Sequence, residues 1–183
     1  MKAVDEKELR AVELLMSGEC DRGQLALSLS VGRMTAGRIA DRLLESGMVM
    51  ERETRKGRGR PSKLLCLTTA WRYWILRLDK GRCEALWVRP NGEILFRITQ
   101  PYDVGVGIGD PFAELYSRLL FASSFSRETE QPQAIALLVG DTAGQISLSS
   151  EQIDLILSDK GESTEEICRL LNRTILQKMN AKE

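Results

Sequence analysis

The strongest constraint on the fold is a helical pattern that stops and restarts within a short stretch, DRGQLALSLSVGRMTAGRIADRLLESGMV, residues 21–49. Leu25, Ala26 and Leu29 mark a short helix, and Ser30-Val31-Gly32 interrupts it. A second pattern runs from Arg33 to Ser46, where Ala36, Ile39, Ala40, Leu43 and Leu44 recur at i, i+3, i+4, i+7 and i+8. That spacing puts one apolar stripe on a helix of 3.6 residues per turn. Gly47 stands where a left-handed stop belongs. A helix is also expected upstream, over Asp5–Met16, from Leu9, Val12, Leu15 and Met16, with acids in its first turn and Ser17-Gly18 closing it.

The other face of the third helix is polar at its N-terminal end, where Arg33, Met34, Thr35, Gly37 and Arg38 lie off the stripe. A short helix, a tight turn and a second helix with such a face form a helix-turn-helix, which enters the major groove by that end. Arginine can bond guanine O6 and N7, and a Met or Thr methyl can touch the thymine methyl. Gly37 has no side chain and lets backbone approach DNA. A small packing hairpin of helices would carry the same pattern, so these residues are candidates for DNA contact rather than proof of it.

The next twenty residues narrow the choice. MVMERE and KLLCLT, 48–53 and 63–68, read as two short strands. Between them lies TRKGRGRPSK, Thr54–Lys63, which neither a helix nor a central strand would use. A hairpin directly after a helix-turn-helix makes a winged helix, with this loop as the wing. Its Gly-Arg-Gly-Arg-Pro core is narrow enough for the minor groove, where A·T-rich DNA offers arginine an enhanced negative potential. Arg55, Lys56, Arg58, Arg60 and Lys63 are the candidate contacts. A solvated basic loop, or one that touches only phosphates, is the plainer alternative.

Charge is placed locally. The 183 residues hold 26 basic and 26 acidic side chains, net zero. Residues 1–70 carry 13 basic and 10 acidic residues (+3), and 71–183 carry 13 and 16 (−3). Arg52–Lys63 alone carries six basic residues against Glu53 (+5), the footprint of a nucleic-acid contact more than of a generally adhesive protein. Histidine is absent, so no Ser-His-Asp or Cys-His pair and no His-ligated metal can be built. The four cysteines (Cys20, Cys66, Cys83, Cys168) are too far apart for zinc spacing and read as reduced thiols. No apolar run reaches membrane-spanning length, and the start is too charged for a signal peptide. A cytoplasmic chain with no cofactor, no metal site and no catalytic residues is expected.

With these motifs in place, the sequence resembles the repressor–ORF–kinase (ROK) family of bacterial sugar-responsive repressors. LALSLSVGRMTAGRIADRLLESGMV followed by RKGRGRPSKLLCL is similar to that family's N-terminal winged helix. The family pattern reads LA-x-x-T-G-L-S-x-x-T-V-S-R, then a Gly-Leu-Val turn and a wing with Gly-Arg-Pro. Leu25, Ala26, Thr35, Arg38, Leu43 and Gly47-Met48-Val49 agree with it. Ser30 replaces the turn glycine, Gly32 the N-cap serine and Gly37 a serine. The resemblance covers about residues 9–68. Because positions 32 and 37 fall on the DNA face, it does not carry an operator sequence over.

From Trp71 the composition changes. YWILRLD, CEALWVR and EILFRITQ alternate apolar and polar residues around KGR and PNG, a three-strand antiparallel meander. Asp110-Pro111 opens an expected helix through about Arg127, AIALLVG (134–140) reads as a buried strand, and helices are expected over about 150–158 and 163–180. Ile167, Cys168, Leu170, Leu171, Ile175, Leu176 and Met179 give the last helix a wide apolar face. It is expected to cover the sheet, with a copy of itself as the alternative. VGVGIGDP, 104–111, lacks the order of a dinucleotide-binding turn and is read as a mobile connection.

This order resembles the first half of the ROK sugar-kinase-like domain, an actin-like ATPase (RNase H-like) fold. The resemblance implies a phosphate loop Asp-x-Gly-x-Thr, but here it reads Asp79-Lys80-Gly81-Arg82-Cys83, without the threonine. VGDTAG, 139–144, stands where the family has Gly-x-Pro-Gly. The family's zinc motif and Asn-Asp pair do not occur in these 183 residues, and a second lobe is not expected among them.

The expected fold is therefore α+β: a winged helix-turn-helix over 1–70 and a truncated α/β domain over 71–183 for dimerisation or signal reception. The expected function is a sequence-specific transcriptional regulator, a repressor by the resemblance, and not an enzyme. Its expected partners are double-stranded DNA with A·T-rich flanks and a second copy of the chain, with an effector unknown and no membrane. It would be bacterial, cytoplasmic and nucleoid-associated. Two alternatives stay open: a remnant sugar-kinase-like enzyme or ligand sensor, and a protein-interaction module with auxiliary DNA binding.

Overall fold

The computed structural model describes residues 5–54, 62–79, 81–102, 117, 132–140 and 153–181. They divide into two units, Met1–Trp71 with Asn172–Glu183, and Arg72–Leu171. The first break falls between Trp71 and Arg72. Residues 172–183, expected with the second domain, group with the first. There Asn172 donates to Met16 Sδ (3.4 Å) and Asn180 to Glu8 Oε2 (3.5 Å).

In the first unit, α1 (Glu6–Ser17), α2 (Arg22–Ser28) and α3 (Arg33–Glu45) precede β1 (Val49–Thr54) and β2 (Ser62–Leu67). Each helix starts differently. Asp5 caps α1 through Lys7 N at 3.0 Å. Asp21 and Gln24 form a reciprocal capping box on α2, at 2.8 and 2.9 Å. Gly32 offers α3 no side-chain cap. The expected stripe is turned inward: Ala36, Ile39, Ala40 and Leu43 are buried and Leu44 half-buried, and Ala11, Val12, Leu15, Leu25, Met48, Val49 and Leu65 are buried in the same unit. β1 and β2 pair antiparallel from Val49↔Leu67 to Thr54↔Ser62. Cys20 adds a bridge on the far side of β2, exchanging two backbone hydrogen bonds with Leu65 (3.1 and 2.8 Å). That pairing anchors the hairpin to the turn before α2.

The second unit is a mixed sheet of β3 (Tyr73–Asp79), β4 (Gly81–Val88), β5 (Ile94–Tyr102), β6 (Ala134–Val139) and β7 (Leu155–Ser158), in the order β5-β4-β3-β6-β7. The expected meander forms, antiparallel, while β6 and β7 run parallel to β3. One face is a core of Trp74, Leu76, Leu78, Cys83, Ala85, Trp87, Ile135 and Leu137, with the two tryptophans directly opposite across β3 and β4. On the outer edge, β5 leaves Ile94, Leu95 and Phe96 exposed.

The last helix, α4 (Thr164–Asn180), opens on a capping box: Ser163 N–H donates to Glu166 Oε2 (2.8 Å) and Glu166 N–H to Ser163 Oγ (3.2 Å). Its first turns pack on the β4–β5 turn. Cys168 Sγ lies 3.6 Å from the Arg89 carbonyl, and a Cβ on Gly92 would meet Glu165 Cα at 3.2 Å. Burial pushes the Cys168 thiol up to about 12. Ile167, Cys168, Leu171, Ile175 and Leu176 are buried, whereas Leu170 is exposed.

One expectation is corrected. Within the stretch expected to be helical over 150–158, Leu155–Ser158 is strand β7. A short apolar run such as LILS does not distinguish helix from strand by periodicity. Pairing decides it. Asp154 accepts from Ile135 N at 2.8 Å, its own N–H donates to the Ile135 carbonyl at 2.9 Å, and Ala136↔Leu155 opens the parallel ladder. The expected helix after Asp110 lies outside the described residues except Ser117, which is helical. VGVGIGDP and residues 141–144 of VGDTAG lie outside them too.

Ser30 is the one described non-glycine residue with a left-handed backbone, φ 53°. A side chain there costs about 1–2 kcal/mol, and glycine avoids the clash at the expense of a freer unfolded chain. Ser30→Gly should therefore raise stability by about 0.5–1 kcal/mol, read as a higher urea midpoint at unchanged slope.

Candidate nucleic-acid interface

Burying the α3 stripe turns the other face outward. Arg33, Met34, Thr35 and Arg38 are exposed, Met34 by 76%, and Gly37 is half-buried. A Cβ on Gly37 would have Arg22 Nη1 as its nearest atom, at 4.0 Å, so the helix surface there is open. All five helix candidates thus share one stretch of α3. Lys63, in β2, is exposed and is set apart from them by its partner. Arg55, Lys56, Arg58 and Arg60 lie outside the described residues.

The arginines of residues 5–54 are not equivalent. Arg10 sits 3.9 Å from Glu6. Arg42 reaches the buried Glu8 at 2.9 Å and Asp5 at 3.3 Å. Arg52 pairs with Glu19 at 2.5 Å. Arg22 bridges Asp41 at 2.8 Å and Glu51 at 3.0 Å. Arg33 and Arg38 have no ion-pair partner among the described residues. Within residues 5–54, the arginines with no carboxylate partner among the described residues are therefore the two on the N-terminal face of α3. A phosphate or guanine approaching that face meets donors that give up no protein partner on binding.

Sequence reasoning missed the role of Arg22 and overlooked the partner of Lys63. Lys63 Nζ lies 2.8 Å from Glu51 Oε2. The register shows why: Glu51 faces Leu65, so Lys63 is its diagonal cross-strand neighbour. Knowing the strand register would have exposed that pair. The Arg22 bridge crosses three elements and leaves no local signal. Hydrogen bonds from Lys63, and then from Arg22, hold the Glu51 carboxyl below its ordinary 4.5.

Among the described residues no group of three Cys, Asp or Glu side chains could hold a metal ion, and no helix is long and apolar enough to cross a membrane. The unit is thus three helices followed by two antiparallel strands, with two arginines on the third helix that have no ion-pair partner among the described residues.

No protein-family model and no curated protein matches the sequence. Among solved structures the chain is similar to a ROK family transcriptional regulator described as a homologue of the E. coli MLC protein. The identity is 19%, the TM-score 0.49, and the match covers 73% of this chain and 35% of that one. It is also similar to NadR in complex with 4-hydroxyphenylacetate, at 24% identity and a TM-score of 0.31, over 36% of this chain and 45% of that one. The chain spans about a third of the first structure's length and under half of the second's. The first is of the family that the sequence resembles. Neither likeness is close enough to carry function across.

A group whose pKa is lowered by folding stabilises the fold above its unfolded value and loses that contribution as pH falls through the folded one. Glu51→Gln should therefore cost about 0.5–1 kcal/mol at pH 7, as expected of pairs this exposed. The gap to the unsubstituted chain should hold down to pH 4.5 and close below it, as measured by urea titrations from pH 7 to pH 3.

Proposed function

We propose that this chain is a sequence-specific DNA-binding transcription regulator of ROK type. The N-terminal end of α3 reads the major groove, and the 54–63 wing grips the minor groove with Arg55, Lys56, Arg58 and Arg60. The observation that carries the reading is the split among the arginines of residues 5–54: Arg10, Arg22, Arg42 and Arg52 are offset by carboxylates, while Arg33 and Arg38 have no ion-pair partner among the described residues. A purely architectural surface would leave its free arginines scattered. Within residues 5–54 they lie together at the helix end that a helix-turn-helix presents to bases.

The motif resemblance over residues 9–68 supports the same role, and the repressor sense comes from that resemblance alone. Lys63 keeps a place at the rim, although its charge is shared with Glu51. Arg33 and Arg38 take guanine edges or phosphates, Met34 and Thr35 offer methyl groups to thymine, and Gly37 lets the helix backbone close on the groove. Two half-sites a helical turn apart require two copies of the reading head, so the chain works as a homodimer in the cytoplasm, bound to the nucleoid. A·T-rich flanks favour the wing.

No catalysis is assigned to the chain. In the resembled kinases a threonine closes the phosphate loop. Its counterpart Cys83 is fully buried in the sheet core, opposite Leu78. Phosphoryl transfer depends on positioning and charge between two lobes, and this loop lacks the hydroxyl.

Selection of bound duplexes from a random pool tests the reading. An enriched motif with two half-sites about one helical turn apart is expected, and recovery of unenriched DNA would refute it. On the enriched duplex, Arg58→Ala with Arg60→Ala should weaken binding by about 1–3 kcal/mol, most on A·T-flanked sites. Arg38→Ala should instead flatten the preference at one base pair by a similar ~1–3 kcal/mol. Gly37→Ala should raise helix stability by about 0.5–1 kcal/mol and still weaken binding in the same mobility-shift titration, because the added methyl lies where backbone meets DNA.

A further inference from the structure

We propose that Asp41, Arg22, Glu51 and Lys63 form one ionic chain whose task is to hold the hairpin at a set angle to α3, so that helix and wing meet the duplex as a single preorganised surface. These are positioning residues, and the inference rests on the DNA-binding reading above.

The path is continuous. Asp41, in α3, receives Arg22 Nη1 at 2.8 Å. Arg22, at the start of α2, sends its other terminal nitrogen to Glu51 Oε1 in β1 at 3.0 Å. The second oxygen of Glu51 receives Lys63 Nζ from β2 at 2.8 Å. Four elements are joined by charges that alternate in sign and sum to zero. The planar guanidinium holds its two carboxylates at a fixed mutual direction, which a flexible ammonium could not do. Lowering of the Glu51 pKa by both cations is consistent with carboxylate oxygens that are each engaged.

Stability alone does not account for the arrangement. Pairs this exposed contribute little to folding, and the side chains of Arg22 and Lys63 are 40% and 63% exposed. Orientation is a different matter. A two-stranded hairpin is marginal on its own and takes its direction from what it touches. Two contacts held in fixed geometry bind more tightly than two that must be ordered on binding. The arrangement also uses up charge. Beside a polyanion, Glu51 and Asp41 repel DNA, and they occupy cations that could have met phosphate.

That gives the test opposite signs. If the carboxylates were mere surface charges, Glu51→Gln would tighten binding to every duplex by removing a repulsion and freeing Lys63 and Arg22. If they position the wing, Glu51→Gln lowers the ratio of affinity for the selected duplex over random duplex, by about tenfold. Asp41→Asn, which breaks the chain at its α3 end, should do the same and keeps the test open should Glu51→Gln fold poorly. In the background of Arg58→Ala with Arg60→Ala, Glu51→Gln should have little further effect on that ratio, because no gripping wing is left to orient. All are read by competition titration at fixed salt with thermal melts alongside. An unchanged ratio, or equal tightening on both duplexes, overturns the ionic chain and leaves the DNA-binding reading intact. Absence of any preferred duplex for the unsubstituted chain overturns both.

Discussion

The N-terminal unit depends on the burial of one stripe, Ala36, Ile39, Ala40 and Leu43, against α1, α2 and the hairpin. Apolar burial at about 25 cal/mol per Å² has no direction of its own, but a helix converts it into one. Once the stripe faces inward, Arg33, Met34, Thr35 and Arg38 must face outward. The exposed face is thus a by-product of core packing. Gly32 starts α3 without a side-chain cap, which costs only about a few tenths of a kcal/mol against serine or aspartate.

Charge follows a second logic. The unit uses carboxylates to tie down the cations that serve architecture, as with Glu8 beneath Arg42 and Glu19 beside Arg52. It withholds them from the cations that face outward on α3. Net charge alone could not reveal this, since the whole chain sums to zero. Placement carries the information.

Much of this was legible in the sequence because it is local. The helix periods, the Gly47 stop (φ 75°) and the meander strands from Tyr73 onward depend on neighbours a few residues away. The α3 face was legible for the same reason, since choosing the buried side chooses the exposed one. Long-range pairing was not legible. LILS becomes a strand only because β6 offers it a parallel edge and Asp154 sets the register. Arg22 looks like any helix-start cation until Asp41 and Glu51, 19 and 29 residues away, are brought beside it. Nor does composition explain why Asn172–Glu183 groups with the first unit rather than with the sheet that precedes it.

Ile94, Leu95 and Phe96 on the outer strand have a consequence for handling the protein. Edge strands in stable monomers usually carry a lysine, an inward charge or a shielding loop against unwanted pairing. In β5 the single charge, Arg97, is engaged by Glu84 at 3.5 Å, and Pro101 guards only the far end. Crowding the protein at bench concentrations therefore invites sticky, sheet-extending adhesion that begins from the intact fold. Shelf life in concentrated stocks would then follow this rim more closely than the melting temperature.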